Sequence, residues 1–356
     1  SFSLVEVQNL VKRYGDRNAV DGLSFTVADG QVFGFLGPNG AGKSTTMNIM
    51  TGYLAPTQGR VLIDGLDIAA EPEAARRRIG YLPELPPLYP DMTVAEYLQF
   101  CAELKKLPRA ERSGRIAQAV SMTHLEDQTR RLIRSLSKGF RQRVGLAQAV
   151  LGLPKVIILD EPTVGLDPRQ VVEIRELIRS LAREHTVILS SHILSEIRAV
   201  CDHVLIIRKG KPVACDTPQA LEEKLSSGGR LTLLAKCSPV QAEDVLAGVD
   251  GVLTHTVSNA GADTVRVELS CAGDRRESLF YAFAATRCPL LELRGRTASL
   301  EDVFLDLTDE DDAVAARAAA LLSPALETDG PETADAPPET EEDAPAAGAG
   351  EEERSE

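Results

Sequence analysis

Two short stretches of this sequence hold side chains whose types and spacing do chemistry together. The first, Gly37-Pro38-Asn39-Gly40-Ala41-Gly42-Lys43-Ser44-Thr45, fits the pattern G-x-x-x-x-G-K-[ST]. It follows the apolar run Val32-Phe33-Gly34-Phe35-Leu36 and leads into a helix-like stretch ending at Met50, the strand, loop and helix that a phosphate-gripping loop requires. Its glycines let the backbone curl until N–H groups converge on phosphate oxygens at a helix N-terminus. Lys43 then reaches the terminal phosphates, Ser44 offers an oxygen to Mg²⁺, and Thr45 contacts phosphate beside it. The second stretch is Asp160-Glu161, which ends the apolar run 156–159. Two carboxylates at the carboxyl edge of a buried strand sit where ligands bind in open α/β sheets. Asp160 reads as the metal-side acid. Glu161, expected to point the other way on an extended backbone, reads as the general base that orients an attacking water. The plain alternative is a capping pair at a strand end.

Elements able to position these groups are visible on either side. Segments 4–11, 23–27 and 61–63 read as strands of an opening β region, and the runs 156–159, 187–189 and 204–207 are almost wholly apolar with helical patterns between them. Strands of that kind are buried on both faces, so the expected class is α/β with a largely parallel core. Residues 91–150 carry helical spacing, entered through Pro83, Pro86, Pro87 and Pro90, and imply a helical subdomain inserted at about 85–150. Lys209-Gly210 reads as a hairpin turn. Ser226-Ser227-Gly228-Gly229 reads as a linker that closes a first domain of residues 1–225. Beyond it, strand 231–236, helix 239–248, strand 252–257, strand 264–269, helix 274–286 and strand 289–294, with a short helix from Ser299, predict a small α+β (ferredoxin-like) domain at 226–308.

Charge is concentrated rather than spread. The chain's 356 residues have a formal net charge of −14, and residues 309–356 hold 16 acidic residues against Arg317 and Arg354, which accounts for all of it. That tail is rich in Ala, Pro and Glu and poor in large apolar residues, so disorder is expected, with one short helix at 313–322. The balanced remainder lacks the clustered Lys and Arg that counterion release needs, which argues against nucleic acid as a partner. No run approaches the length of a membrane-spanning helix, and the first residues lack a basic region followed by an apolar one. Six scattered cysteines include no C-x-x-C pair, so neither a zinc site nor a disulfide framework is indicated.

Lys43 and Asp160-Glu161, with Leu136-Ser137-Lys138-Gly139-Phe140-Arg141-Gln142-Arg143 between them, resemble the ATP-binding cassette (ABC) ATPases, a family of P-loop NTPases, over roughly residues 4–225. The resemblance implies a core with an N-terminal antiparallel β subdomain, and ATP and Mg²⁺ as cofactors. It also implies a head-to-tail dimer in which Ser137 and Gly139 contact the γ phosphate held by the opposite subunit. Tyr14 resembles the aromatic that stacks on adenine, Asp167 of Gly165-Leu166-Asp167-Pro168 the residue of an interface-crossing loop, and His192 the histidine that senses the γ phosphate. Each has a structural alternative: a core tyrosine, a turn, a satisfied histidine. Two positions depart from the family pattern. Glu84 stands where the family usually has the glutamine that touches Mg²⁺, and Lys138-Gly139-Phe140 replaces the commoner Gly-Gly-Gln, so an altered turnover rate is expected.

Leu300 to Thr308 resembles the close of bacterial exporter ATPase subunits. The function expected is therefore an ATP-hydrolysing subunit of a bacterial ABC exporter. It would act as a homodimer or beside a related subunit, on separately encoded permease subunits, from the cytoplasmic face of the membrane. A soluble ABC ATPase acting on DNA or ribosomes is the alternative. Coiled-coil arms, a second phosphate loop and basic patches, which such proteins usually carry, are absent from the sequence. A regulatory protein that binds ATP without turnover is a third reading, opposed by Glu161 and His192 and left open by Glu84.

Overall fold

The computed structural model describes residues 3–221, 230–261, 263–271 and 273–295. The linker at 226–229, the segment from Ser299 to Thr308 and the tail at 309–356 lie outside the described residues.

Two sheets share the first part of the chain. β1 (Ser3–Tyr14), β2 (Arg17–Ala28), β4 (Gln58–Ile63) and β5 (Leu66–Asp67) form an antiparallel sheet in the order β2-β1-β4-β5. The other sheet has six strands, β3 (Val32–Leu36), β6 (Ile79–Leu82), β7 (Val156–Leu159), β8 (Thr186–Ser191), β9 (His203–Arg208) and β10 (Lys211–Asp216), in the order β10-β9-β3-β8-β7-β6. All of its pairings are parallel except the β9–β10 hairpin, which turns at Lys209-Gly210. The α/β class is as the apolar runs required.

Burial on both faces explains those runs. In β3, Val32 and Leu36 join one core while Phe33 and Phe35 join another; β7 divides the same way, Ile157 and Leu159 to the first, Val156 and Ile158 to the second. The first core packs against the helices. The second packs against the antiparallel sheet, where Phe25 meets Phe33 and Phe35 with ring centroids 5.3 and 5.2 Å apart. Each such side chain, fully buried, contributes about 1.5–3 kcal/mol.

Between β6 and β7 lie α3 (Val94–Leu104), α4 (Arg112–Met122) and α5 (Lys138–Val150). Val94, Tyr97, Leu98 and Cys101 of α3 are buried at the spacing of one helical face, and Thr93 opens it with a capping box to Glu96. At the far end of α5, Lys105 donates to the carbonyls of Gln148 and Leu151 at 2.7 and 2.9 Å, satisfying acceptors that a helix C-terminus leaves open. This part also contains α1 (Lys43–Met50), α2 (Pro72–Arg76), α6 (Pro168–Leu181) and α7 (Leu194–Val200).

A third, separate core holds together β11 (Arg230–Ala235), α8 (Pro239–Ala247), β12 (Val252–Gly261), β13 (Thr264–Cys271), α9 (Arg276–Ala285) and β14 (Leu290–Gly295). The strands are antiparallel in the order β12-β13-β11-β14. Alternation along β13, with Val265, Val267, Leu269 and Cys271 buried, turns one face of the sheet to the helices.

One close approach sets the spacing between α5 and the parallel sheet. Gly80, within β6, lies against the backbone carbonyl of Ala149, and a Cβ there would collide with it. Gly80→Ala is therefore expected to cost about 1–3 kcal/mol and to lower the melting temperature by several degrees. Calorimetry reads this directly, and an unchanged transition would show that α5 can move aside.

Candidate nucleotide site

Because β3, β6, β7 and β8 run parallel, their carboxyl ends share one edge of the sheet. That edge delivers the phosphate loop after Leu36, Glu84 after Leu82, Asp160-Glu161 after Leu159 and His192 after Ser191.

Gly42 begins α1 at φ 107°, a conformation L-residues rarely adopt, and no side chain caps the helix. The amides of its first turn thus keep their capacity for an anion. A cleft of about 370 Å³ lies here, lined by Asn39, Gly40, Gly42, Lys43, Ser44 and Thr45 of the loop together with Glu84, Glu161 and His192. Gly37 and Pro38 serve from behind: their carbonyls accept from Lys43 Nζ at 2.7 and 3.2 Å. Ala41 is buried, and its carbonyl accepts from the amide of Gly210 at 2.9 Å.

The charged groups are tightly coupled. Lys43 Nζ lies 3.3 Å from Glu161 Oε1, with only 5% and 7% of the two side chains exposed. The other oxygen, Oε2, is 2.9 Å from His192 Nδ1. Ser44 Oγ donates to Asp160 Oδ1 at 3.2 Å. Burial, followed by the negative charge of Asp160, raises the Tyr81 phenol above its ordinary range, and its hydroxyl donates to Asn48 at 3.1 Å.

One expectation is corrected. Glu161 is not on an extended backbone: its φ is +48°, in the left-handed region. The ladder of β7 ends at Leu159, and the chain turns at once, with the Glu161 amide donating to Ser190 Oγ at 2.9 Å and its carbonyl accepting from Val164. A non-glycine residue held there stores about 1–3 kcal/mol, a cost surrounding contacts must offset. This turn, rather than strand alternation, aims the carboxylate at Lys43 and His192.

Sequence reasoning missed the groups beneath. Ser190 Oγ donates to Asp160 Oδ1 at 2.6 Å while accepting from Glu161, so one hydroxyl fixes both acids. Ser191 Oγ and the Thr163 hydroxyl both donate to buried Glu196. Two adjacent serines ending an otherwise apolar buried strand were the available signal.

Other expected residues lie elsewhere. Tyr14 ends β1 and is 52% exposed, so it is not a core tyrosine. It stands beside a cleft of about 680 Å³ lined by Arg13, Asp16, Arg17, Asn18, Asp21 and Lys209. The β1–β2 hairpin leading to that cleft packs on the phosphate loop, for a Cβ on Gly42 would meet the Ala19 carbonyl at 2.5 Å. Ser137 caps α5, accepting from Phe140 N at 3.3 Å, and Asp167 caps α6, accepting from Gln170 N at 3.0 Å. Ser137, Gly139 and Asp167 do not line the cleft around Lys43.

Ser44, Asp160 and Glu84 offer hard oxygen donors suited to Mg²⁺. Among the described residues no group of three or more His, Cys, Asp or Glu gathers closely enough to hold a metal by itself. These residues fit the ion in partnership with phosphate oxygens, the way Mg²⁺ is usually held.

A parallel sheet that presents a phosphate loop, an aspartate below its serine and a glutamate against its lysine defines a nucleotide-binding ATPase cassette. The family model described as "ABC transporter" matches residues 20–164. The chain is 36% identical over 310 residues to an uncharacterized ABC transporter ATP-binding protein, YhcH, of Bacillus subtilis (strain 168), covering 86% of this chain and 97% of that one. It is 34% identical over 319 residues to the Nod factor export ATP-binding protein I of Ralstonia nicotianae (strain ATCC BAA-1114 / GMI1000), covering 87% and 95%. MJ0796, a bacterial ABC transporter cassette solved as a dimer and in a dimeric post-hydrolysis state with ADP and Pi, aligns with TM-score 0.54 at 26% identity, over 60% of this chain and 98% of that one. The protein belongs to the ABC transporter ATP-binding subunits. Among the described residues, no helix is long and apolar enough to cross a membrane.

Ser190→Ala would leave the Asp160 carboxylate with only the longer bond from Ser44 Oγ and the Glu161 amide without its acceptor. The expected cost is about 1–3 kcal/mol, with ATP turnover falling as the two acids lose their fixed positions. Calorimetry and a phosphate-release assay check it, and unchanged values in both would show the hydroxyl to be idle.

Proposed function

We propose that this chain is the Mg²⁺-dependent ATPase subunit of a bacterial exporter. In this reading residues 1–225 form the ATPase core, with a helical subdomain at about 85–150, and residues 226–308 an accessory ferredoxin-like domain. Two subunits, copies of this chain or this chain and a related one, close head to tail on ATP. Each ATP lies between the phosphate loop of one subunit, residues 37–45 with Tyr14 against adenine, and Ser137, Gly139 and Asp167 of the other. Closure and reopening would drive separately encoded permease subunits from the cytoplasmic face of the membrane. The name of the Nod factor export relative supports export.

The observation that carries the catalytic reading is the pair of contacts on one buried carboxylate, Lys43 Nζ on Oε1 and His192 Nδ1 on Oε2. On nucleotide binding, Lys43 exchanges the Gly37 and Pro38 carbonyls for phosphate oxygens. Glu161 then takes the proton of a water in line with the γ phosphate, and His192 holds the carboxylate in that orientation. Ser44, Asp160 and Glu84, together with the phosphates, would hold Mg²⁺, which would supply Lewis acidity toward the transferring group.

Glu161→Gln retains the shape of the group and a carbonyl for Lys43 but cannot accept a proton. It should bind ATP while turnover falls by roughly 10²–10⁴-fold. Lys43→Ala should lose nucleotide binding. Fluorescent-nucleotide titration and phosphate release test both, and undiminished hydrolysis by Glu161→Gln would assign the base elsewhere. Pulled down from detergent-solubilised membranes with ATP and Mg²⁺, Glu161→Gln should retain a polytopic membrane protein; ribosomal or DNA-associated proteins in its place would overturn the transport reading.

A further inference from the structure

The cleft around Lys43 is short of positive charge. Glu84 and Glu161 line it and Asp160 lies beneath, against Lys43 and His192; both of these basic groups are already engaged by Glu161, and the ammonium by two loop carbonyls as well. Glu84 has no hydrogen bond or ion pair among the described residues. An ATP tetra-anion entering a site with three carboxylates carries like charge into a partly desolvated space, and one Mg²⁺ offsets only part of it.

A cation without a local partner stands on a segment that the proposed dimer turns toward this cleft. Lys138, the first residue of α5, is exposed, and its side chain makes no hydrogen bond or ion pair among the described residues. Its position is locally unfavourable, since a lysine in the first turn opposes the helix dipole and that turn holds no acid. The side chain is nonetheless directed: it lies over Gly165, where a Cβ would collide with the ammonium. Gly165 lies at φ 69° in the turn closed by the Leu166 amide on the Thr163 carbonyl, just before Asp167, so Lys138 stands between the two segments, Ser137-Gly139 and Asp167, assigned to the subunit interface.

We infer that Lys138 acts across that interface, donating to the γ phosphate of the ATP held by the opposite subunit and offsetting the charge of that subunit's Glu84. The inference rests on the head-to-tail reading above. The two departures from the family pattern then compensate one another at one composite site, an added carboxylate in the cleft and an added cation over it. Lys138 would be a catalytic residue in trans, needed for ATP to draw the dimer together and of no consequence to the nucleotide affinity of a single subunit.

The test uses the full chain carrying Glu161→Gln, with ATP-driven dimerisation followed by sedimentation. Adding Lys138→Met, which keeps the length and removes the charge, should weaken dimerisation about tenfold or more. Nucleotide affinity measured below the dimerisation concentration and the melting temperature should stay unchanged, and Lys138→Arg should restore assembly. Dimerisation undiminished by Lys138→Met overturns the inference. So does a loss accompanied by a lower melting temperature or not restored by Lys138→Arg, which would make Lys138 a packing residue for the Gly165 turn. If Glu161→Gln alone binds ATP without dimerising, the head-to-tail reading itself falls and takes the inference with it.

Discussion

The parallel alignment of β3, β8, β7 and β6 is the constraint on which the site depends. Parallel pairing puts four carboxyl ends at one edge, and the chain leaves that edge four times with a different chemical group each time. The cost is that these strands must be covered on both faces, met by helices on one side and the antiparallel sheet on the other. Precision at the site is therefore borrowed from packing on both sides of the sheet.

A second layer of order comes from hydroxyls rather than charges. Burying Lys43 beside Glu161 gains little by itself, because desolvation consumes most of the attraction between buried ions. What keeps the pair serviceable is that Lys43, Asp160, Glu161 and His192 each have a fixed neighbour. Ser190 ties Asp160 to the Glu161 amide, His192 occupies the remaining carboxylate oxygen, and loop carbonyls hold the ammonium. A site fixed in this way needs little rearrangement when charge moves during phosphoryl transfer.

Much of this was legible in the residues. Val32 to Leu36, Val156 to Leu159 and Val187 to Leu189 could be read as parallel strands because no residue along them tolerates water. The phosphate loop announces itself by spacing, and the carboxylates by their place at a strand end. The backbone of Glu161 was not legible, since whether a chain keeps its ladder or turns after the last apolar residue depends on a partner 29 residues away, Ser190. Nor could periodicity separate Tyr14 as a core residue from Tyr14 as an exposed one; only the position of the β1–β2 hairpin against the phosphate loop decides that. Ser137 and Asp167 show a different limit. Within one chain they are helix caps, and the role proposed for them in a dimer needs a surface that a single copy does not complete.

The division of each central strand between two cores has a genetic consequence. Along β3, successive residues answer to different neighbours, helices for Val32 and Leu36, the antiparallel sheet for Phe33 and Phe35. Losing or gaining one codon there would send every later side chain of the strand to the opposite layer and displace the phosphate loop at its end. Point substitutions of similar size can be absorbed locally, whereas a one-residue slip has no local repair. Length variation among relatives should accordingly collect in the turns and leave the strand lengths of this sheet untouched.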